Sequence, residues 1–200
     1  FAVASVMNCE GKELAVRYFK GGKEYTHRCS KVLEKIEKSR KSRGENAGGR
    51  VNQKYWMHLK HLGEQYAHQV SLNIVTFCKE QDVSIIAFPK YDEEYRRHVL
   101  KGAGNFGTLH LSTRIREYLT YKAWKEGILV LDVNAKETHR ICAICGSEIT
   151  QQDKESKRFV CEEGHQGDAY LNVARNAAKR CMEQFRKKAG KEKNVSAKKS

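Results

Sequence analysis

Two pairs of metal-binding side chains near the C-terminal end constrain the fold of this chain more than any other feature. Cys142 and Cys145 are separated by two residues, and Cys161 and His165 follow after fifteen more. The Cys-x2-Cys spacing lets a tight turn bring two thiolates to one side of a tetrahedral ion, and a second pair at hairpin distance completes the shell. The segment is therefore predicted to fold as a zinc ribbon.

Thiolate and imidazole ligands favour Zn²⁺, and four protein ligands leave no open position for a substrate, so the ion is predicted to be structural. The fourth ligand is the open point, because Cys-x3-His is a less usual second pair. His139 is close enough in sequence to compete with His165, which we favour. Free thiols in an ordinary hairpin are the alternative. The remaining cysteines are predicted to be buried small apolar residues: Cys9, Cys29, Cys78 and Cys181.

The charge of the chain favours a polyanionic partner. The 200 residues contain 38 Lys and Arg against 24 Asp and Glu, a formal net charge of +14 at pH 7. Residues 31–54 hold eight Lys or Arg against three Glu, and residues 179–200 hold nine against two Glu. Such clusters favour nucleic acid, with a solvated basic surface as the plainer alternative. No run approaches 18 apolar residues, which excludes a membrane span.

Hydrophobic periodicity predicts an alternation of strands and helices. The predicted elements are strands at 3–6, 14–19, 24–27, 83–88 and 128–133, and helices at 30–43, 56–77, 111–127 and 170–185. Pro89 is expected to stop the fourth strand, and residues 89–107 are expected to form a mobile loop. The long second helix carries an apolar stripe from Trp56 to Phe77. This order predicts an α/β domain with a mixed sheet, in which helical crossovers link parallel strands.

A series of residues around the ribbon resembles a known family. It consists of the strand 127–134, Thr138 shortly before the first cysteine pair, and residues 167–176 after the second pair. The series resembles the C-terminal half of TnpB-type proteins of insertion sequences and of the related type V CRISPR effectors. The resemblance implies a RuvC-like nuclease domain of RNase H-like fold, into which a zinc ribbon, the target-nucleic-acid-binding domain, is inserted.

The resemblance covers essentially the whole chain and implies its division. The chain is expected to enter partway through a strand of a longer protein, because it begins at Phe1 without an initiator Met. The expected parts are a RuvC-like core at 1–138 with a helical insertion at about 30–80, the zinc ribbon at 139–166, a final RuvC-like helix at 167–188 and a basic flexible tail at 189–200.

The family's chemistry implies three carboxylates that bind two divalent ions, usually Mg²⁺, for phosphodiester hydrolysis. The first Asp is expected upstream of Phe1. Pro89 stands where the second carboxylate, a Glu, belongs, and Tyr170 stands where the third, an Asp, belongs; Tyr170 is expected in the apolar stripe of the last helix. Asp168 is the tentative catalytic candidate, with a helix cap as the alternative. Three acidic residues substitute only if their loop folds back: Asp92, Glu93 and Glu94.

The resemblance also implies the partners: a guide RNA, a target DNA strand paired with it, and possible transposition proteins, in the cytoplasm of a bacterium or archaeon near the nucleoid. The cations near the glycine-rich break at 44–49 are the first candidates for phosphate contacts, and those on the ribbon and the last helix are the second. These candidates are Arg40, Lys41, Arg43, Arg50, Lys54, Arg158, Arg175 and Lys179.

Three hypotheses about function follow. The leading one is an RNA-guided DNA-binding protein whose RuvC-like site is catalytically degenerate, acting as a transcriptional repressor or as a targeting subunit for transposition. The second is an active metal-dependent RNA-guided DNA endonuclease that uses Asp168 and nearby acidic residues. The third is a remnant that folds poorly and has no activity.

Overall fold

The structure is a computed structural model that describes residues 2–43, 52–90, 108–153 and 155–196. Within these ranges the chain forms seven strands and four helices. The strands are β1 (Ala2–Met7), β2 (Glu13–Phe19), β3 (Ile85–Lys90), β4 (Leu129–Asn134), β5 (Ile149–Gln152), β6 (Arg158–Cys161) and β7 (Gln166–Asp168). The helices are α1 (Gly22–Arg43), α2 (Gln53–Glu80), α3 (Thr108–Lys125) and α4 (Ala169–Ser196). The predicted mixed α/β class is confirmed.

The strands pair as three small sheets in the described part of the chain, and not as the single mixed sheet that the sequence predicts. β1 and β2 form an antiparallel hairpin, β3 and β4 a parallel pair, and β5, β6 and β7 an antiparallel sheet. The helix α4 packs against β1, β3, β4 and β7, so it joins all three sheets. The relation between the sheets is therefore set by helix packing.

The predicted third strand at 24–27 is wrong, because α1 already begins at Gly22. Gly21 adopts a left-handed backbone with φ +101°, which suits glycine and turns the chain from the hairpin into the helix. The ring of Tyr25 then stacks on Tyr66 of α2 with centroids 4.8 Å apart. A contact with a distant helix thus decides the structure of a segment whose local pattern is ambiguous.

The strand β3 runs through Pro89 to Lys90, so the prediction that Pro89 stops it is wrong. The backbone oxygens of Ser84 and Lys90 both accept hydrogen bonds from the β4 side, at 3.0 and 2.9 Å. Alternate residues of a strand point their backbone groups to the same side, so Pro89 turns its nitrogen away from β4. A proline is tolerated there because that nitrogen needs no partner in the pair.

The main core lies between the parallel pair and the two helices that precede its strands. Leu119 of α3 is fully buried against Val75 and Cys78 of α2 and Ile128 before β4. The helix α3 ends as predicted, because Gly127 takes a left-handed φ of +72° and Ile128 donates a hydrogen bond back to the Ala123 oxygen at 2.9 Å. Each helix thereby leads directly into the strand that it covers.

A second core joins α1 to α2 and shows that the stripe predicted for α2 begins later than expected. It contains Cys29, Val32 and Leu59, so α1 and α2 form a helical hairpin, but Trp56 at the start of the predicted stripe is 43% exposed. The buried positions of α2 instead include small residues through which neighbouring elements approach closely. These positions are Leu59, Gly63, Ala67, Val70, Ser71, Val75, Phe77 and Cys78.

The prediction that all four lone cysteines are buried is wrong for Cys9, which is exposed. The other three are buried as predicted: Cys29, Cys78 and Cys181.

Two further findings concern the C-terminal end of α4 and the length and apolarity of the helices. The backbone of α4 stays helical to Ser196, eight residues past the predicted end at 188, so most of the predicted flexible tail at 189–200 is helical. Within the described ranges, none of the helices combines the length and the apolarity that a bilayer span requires.

We expect Leu119→Ala to lower the free energy of unfolding by about 2–5 kcal/mol, because it removes a fully buried side chain from the main core. Urea denaturation followed by circular dichroism measures this loss. Leu14→Ala is the control, since Leu14 is 57% exposed and its truncation should change stability by less than about 0.5 kcal/mol. Equal effects of both changes would contradict the assigned core.

Candidate metal centre and nucleic-acid surface

The predicted ribbon ligands converge on one point. The ligand atoms of Cys142, Cys145, Cys161 and His165 all lie within 4.8 Å of one another. The Cys145 and Cys161 sulfurs are 3.7 Å apart, and the Cys161 sulfur is 3.6 Å from His165 Nδ1. Zn–S bonds of about 2.3 Å at tetrahedral angles place neighbouring sulfurs about 3.8 Å apart, so the spacing suits zinc.

Two tight turns shape the centre. In the first, Gly146 donates to the Cys142 oxygen at 2.9 Å, and in the second, Gly164 donates to the Cys161 oxygen at 2.9 Å. Both glycines adopt left-handed backbones, with φ of +83° and +78°. Each turn therefore curls the chain so that both ligands of a pair face the same side. The pairing of β5 with β6 then brings the two turns together.

The electrostatics around the sulfurs favour thiolates. Burial opposes ionisation of Cys161, but hydrogen bonds from the Ser147 and His165 side chains dominate and lower its pKa to about 6. Hydrogen bonds from the Ser147 hydroxyl and backbone lower the pKa of Cys145, while burial raises the pKa of Cys142. A hydrogen bond with Cys161 raises the pKa of His165. Metal ligation needs sulfur in the thiolate form, which the surroundings of Cys145 and Cys161 favour and the burial of Cys142 opposes.

The donor set fits zinc and resolves the competition for the fourth ligand. His165, the favoured candidate, belongs to the cluster, and His139 does not. Cys142 and Cys161 are buried, and Phe159 packs beside them. Within the described ranges this is the only group of three or more metal-binding side chains that share one centre. When bound, a zinc ion would hold the two turns together, and its four protein ligands leave no reactive position.

Two buried asparagines of α4 fasten the ribbon to the rest of the molecule. Asn172 accepts a hydrogen bond from the Ala143 nitrogen at 2.7 Å and donates to the Ile141 oxygen at 2.8 Å. Asn176, one turn later, donates to the Thr138 and Ile141 oxygens at 2.9 and 2.8 Å. Both side chains are at least 92% buried. These bonds satisfy backbone groups on both sides of the first cysteine.

The cations of α4 continue this attachment, which the sequence analysis missed. Lys179 donates to the Ala143 oxygen, and Arg180 donates to the Asn134 and Lys136 oxygens. The spacing of 172, 176 and 179 along one helix face was visible in the sequence. The sequence does not show what these residues contact, because only the folded chain brings backbone oxygens to that face of α4. A nucleic-acid contact by Lys179 stays a prediction.

The predicted catalytic positions are found at the junction of β7 and α4. Asp168 accepts a hydrogen bond from the Leu171 nitrogen at 2.8 Å, so it caps the N-terminus of α4. Tyr170 is 40% exposed, and the expectation that it belongs to the buried stripe is wrong. Pro89 lies in β3 opposite Val133. The acidic candidates of the preceding loop lie outside the described residues: Asp92, Glu93 and Glu94.

An ion pair lies near this junction. Arg175 donates two hydrogen bonds to Glu13, Nε to Oε2 at 2.7 Å and Nη2 to Oε1 at 2.6 Å. Ser5 also donates to Glu13 at 2.7 Å. The bond from Arg175 is the main reason that the Glu13 pKa is lowered. The predicted nucleic-acid ligand Arg175 therefore has a bidentate partner that ties α4 to the first hairpin.

The other basic candidates whose side chains the structure describes are exposed and lie on different elements. Arg40 and Lys41 both lie within 4.0 Å of Glu37 and line a groove of about 580 Å³ together with Leu33 and Trp56. Lys54 is exposed at the start of α2, and Arg158 is exposed on β6 of the ribbon. The side chains of Arg43 and Arg50 lie outside the described residues. Their contacts with nucleic acid stay a prediction.

We expect the purified chain to contain about one zinc ion, and Cys142→Ser to lose it, because one thiolate of a closed tetrahedral site is gone. Metal analysis by mass spectrometry measures the ratio. His165→Asn should weaken retention during dialysis against a chelator, whereas the matched change His139→Asn should retain the ion. Loss of zinc from the His139 variant alone would contradict the assigned fourth ligand.

We expect Asn172→Ala to lower the free energy of unfolding of the zinc-loaded chain by about 1–3 kcal/mol, because the Ala143 nitrogen loses a buried partner. Amide exchange of Ala143 should accelerate as well. Asn73→Ala removes the same side chain from an exposed position of α2 and serves as the control. Unchanged exchange at Ala143 would refute the proposed attachment of the ribbon.

The comparisons with known proteins agree with this arrangement. Residues 113–177 match the family described as the Cas12f1-like TNB domain. This range runs from α3 through the ribbon to the asparagines of α4. The fold is similar to that in a cryo-EM structure of the Cas12f1–sgRNA–target DNA complex, with a TM-score of 0.60 and 13% sequence identity over 82% of this chain.

The chain spans 44% of the length of that solved chain. Among curated proteins, no sequence matches the chain. The family match contains the ligand cluster and its attachment to α4, and the structural similarity extends over most of the remaining residues. Residues 113–177 therefore match the Cas12f1-like TNB domain, and the chain shares its fold with the Cas12f1 chain of that complex, which supports a TnpB/type V effector-like family.

Proposed function

We propose that the chain is the C-terminal portion of an RNA-guided DNA-binding protein with a catalytically degenerate RuvC-like site. The observation that carries the proposal is the Cas12f1-like TNB domain at 113–177, fastened by Asn172 and Asn176 to a helix that also packs on β1, β3 and β4. A domain fixed in this way keeps a constant position relative to nucleic acid bound on the neighbouring surfaces.

Three observations support the loss of cleavage. Pro89 has no side-chain ligand for a metal, and Tyr170 offers a phenol where Mg²⁺ prefers carboxylate oxygen. Asp168 is engaged as the cap of α4. In the described part of the chain, the only convergent group of metal-binding side chains is the Cys and His cluster of the ribbon. A two-ion mechanism would need carboxylates from elsewhere in the protein.

The proposed partners are a guide RNA and the target DNA strand paired with it. The complex named for the similar solved structure contains both kinds of nucleic acid, and the net charge of +14 suits a polyanion. Arg40, Lys41 and Lys54, together with Arg158 on the ribbon, are the exposed cations through which phosphate groups would be held. Transposition proteins are left out of the proposal, because neither comparison names one.

The proposal extends to the division of the chain. The parts are a RuvC-like core at 1–138, the ribbon at 139–166 and the final helix, which would act in the cytoplasm of a bacterium or archaeon beside its DNA. The ribbon and the core share the contacts of α4, so they would move as one unit when nucleic acid binds.

We expect the parent protein, purified with its co-purifying RNA, to retain a matched target DNA in Mg²⁺ without cutting it. Gel shift and plasmid cleavage in the same tube measure both outcomes. Cleavage by the unaltered protein that Asp168→Ala abolishes would contradict the degenerate site and support the active endonuclease. Cleavage that begins only with the double change Pro89→Glu and Tyr170→Asp would support loss by substitution.

Binding through the groove cations is tested by salt dependence. Each lost phosphate contact should reduce the slope of log affinity against log salt by about 0.7–0.9, so Arg40→Ala with Lys41→Ala should reduce it by about 1.4–1.8. The control is Lys12→Ala with Lys20→Ala, which removes the same charge from exposed positions of the first hairpin. Equal slopes for both double variants would mean that net charge alone governs binding.

A further inference from the structure

The helices α2 and α3 carry exposed rings and cations that the proposed function does not use. Trp124 is 76% exposed and Tyr121 is 43% exposed, at positions three residues apart on α3. They lie on one helix face because residues three and four apart are neighbours. We name this set the Trp124 patch; its residues are His68, Leu72, Tyr121, Trp124 and Lys125.

The rings at the base of the patch are held in place before any ligand binds. His68 stacks on Tyr118 with centroids 3.7 Å apart and an angle of 10° between the planes, and Tyr118 meets Tyr121 edge to face at 6.3 Å. Lys122 bonds across the helices, to the His68 oxygen at 2.6 Å and the Ser71 hydroxyl at 2.7 Å. A ring that is already ordered loses little side-chain entropy on binding.

The charges around the rings favour a polyanion over an apolar partner. The amines of Lys122 and Lys125 each lie 5.9 Å from the centre of the Tyr121 ring. Of the nearby acids on α3, Glu126 is paired with Lys79 at 2.6 Å, and Glu117 is exposed one turn before Tyr121. Flat faces flanked by cations are the arrangement by which proteins hold single-stranded nucleic acid, with bases on the rings and phosphates on the amines.

We infer that the Trp124 patch binds unpaired nucleotides of a single-stranded RNA. Trp124 and Tyr121 stack with successive bases, and Lys125 contacts a phosphate between them. RNA is favoured over DNA because Tyr121 Oη and His68 Nδ1 form a long hydrogen bond with each other, at 3.4 Å and on the surface, and a ligand hydroxyl can bridge this pair. A ribose 2′-hydroxyl both donates and accepts a hydrogen bond, and DNA lacks this group. The inference rests on the proposed function for the presence of an RNA partner.

The test uses the full zinc-loaded chain and a fluorescein-labelled 15-nucleotide oligouridylate, with oligothymidylate of equal length and an RNA duplex as comparison probes. Fluorescence anisotropy at fixed salt gives the affinity. We expect Trp124→Ala to weaken oligouridylate binding about tenfold, the effect of removing one base stack. Trp124→Phe keeps an aromatic face and should weaken it less than about threefold, whereas Trp124→Leu should match the alanine variant. The exposed indole makes these changes tolerable to the fold.

Phe185→Ala is the control, because Phe185 is an exposed aromatic residue, 42% accessible, on a different helix, α4. Its oligouridylate affinity should equal that of the unaltered chain. Retained binding by Trp124→Leu would mean an apolar contact and would overturn the inference. Equal losses with oligothymidylate would overturn the assignment to RNA. A Trp124→Ala variant that changes only the sedimentation coefficient would identify the patch as a protein interface and overturn it as well.

The outcomes also separate this inference from the proposed function. If Trp124→Ala binds oligouridylate like the unaltered chain while Arg40→Ala with Lys41→Ala loses salt-dependent affinity, the patch is refuted and the proposed function stands. If the unaltered chain binds none of the three probes at low salt, the patch is refuted, whereas the proposed function is decided by whether the parent protein retains its target DNA. Selective loss of oligouridylate affinity in the Trp124→Ala and Trp124→Leu variants supports the patch directly.

Discussion

The organisation of this molecule depends on the hydrogen bonds that Asn172 and Asn176 make with the backbone at 138–143. They join the segment that carries the first two zinc ligands to a helix that packs on β1, β3 and β4. Because both amides are buried, their bonds are shielded from competition by water, and loss of either leaves polar backbone without a partner. A small hairpin that carries a candidate metal site thereby gains a fixed orientation that its own core could not supply.

The same helix carries most of the polar connections between the parts of the chain. Arg175 binds Glu13 in the first hairpin, Lys179 binds the ribbon, and Arg180 binds the backbone after β4. Two cations that were predicted to contact nucleic acid, Arg175 and Lys179, thus bind other parts of the chain and help to hold the sheets together. Exposed cations beside flat or apolar faces, on α1 and α3, are among those proposed to contact a polyanion.

The successes and failures of sequence reasoning have separate physical causes. The ligand cluster was predictable because tetrahedral coordination fixes the spacing of Cys142 and Cys145, and the end of α3 because Gly127 suits a left-handed backbone. Residues 24–27 were assigned wrongly, because Tyr25 gains its stacking partner only when α2 packs against α1. Pro89 was taken as a stop, because which side of β3 faces a partner is decided by pairing and not by the residue itself.

The sequence by itself determined the chemical groups of this protein: four side chains that suit zinc, the excess of basic residues, the alternation of strands and helices, and the lack of a carboxylate at Pro89 and Tyr170. Tertiary structure alone decided which side chains have partners within the molecule and which are exposed. It turned Asp168 into a helix cap, paired Arg175 with Glu13, and left Trp124 exposed. Residue type and local spacing can be read directly from the sequence. Burial and interaction partners depend on segments that are distant in sequence and meet only in the folded chain.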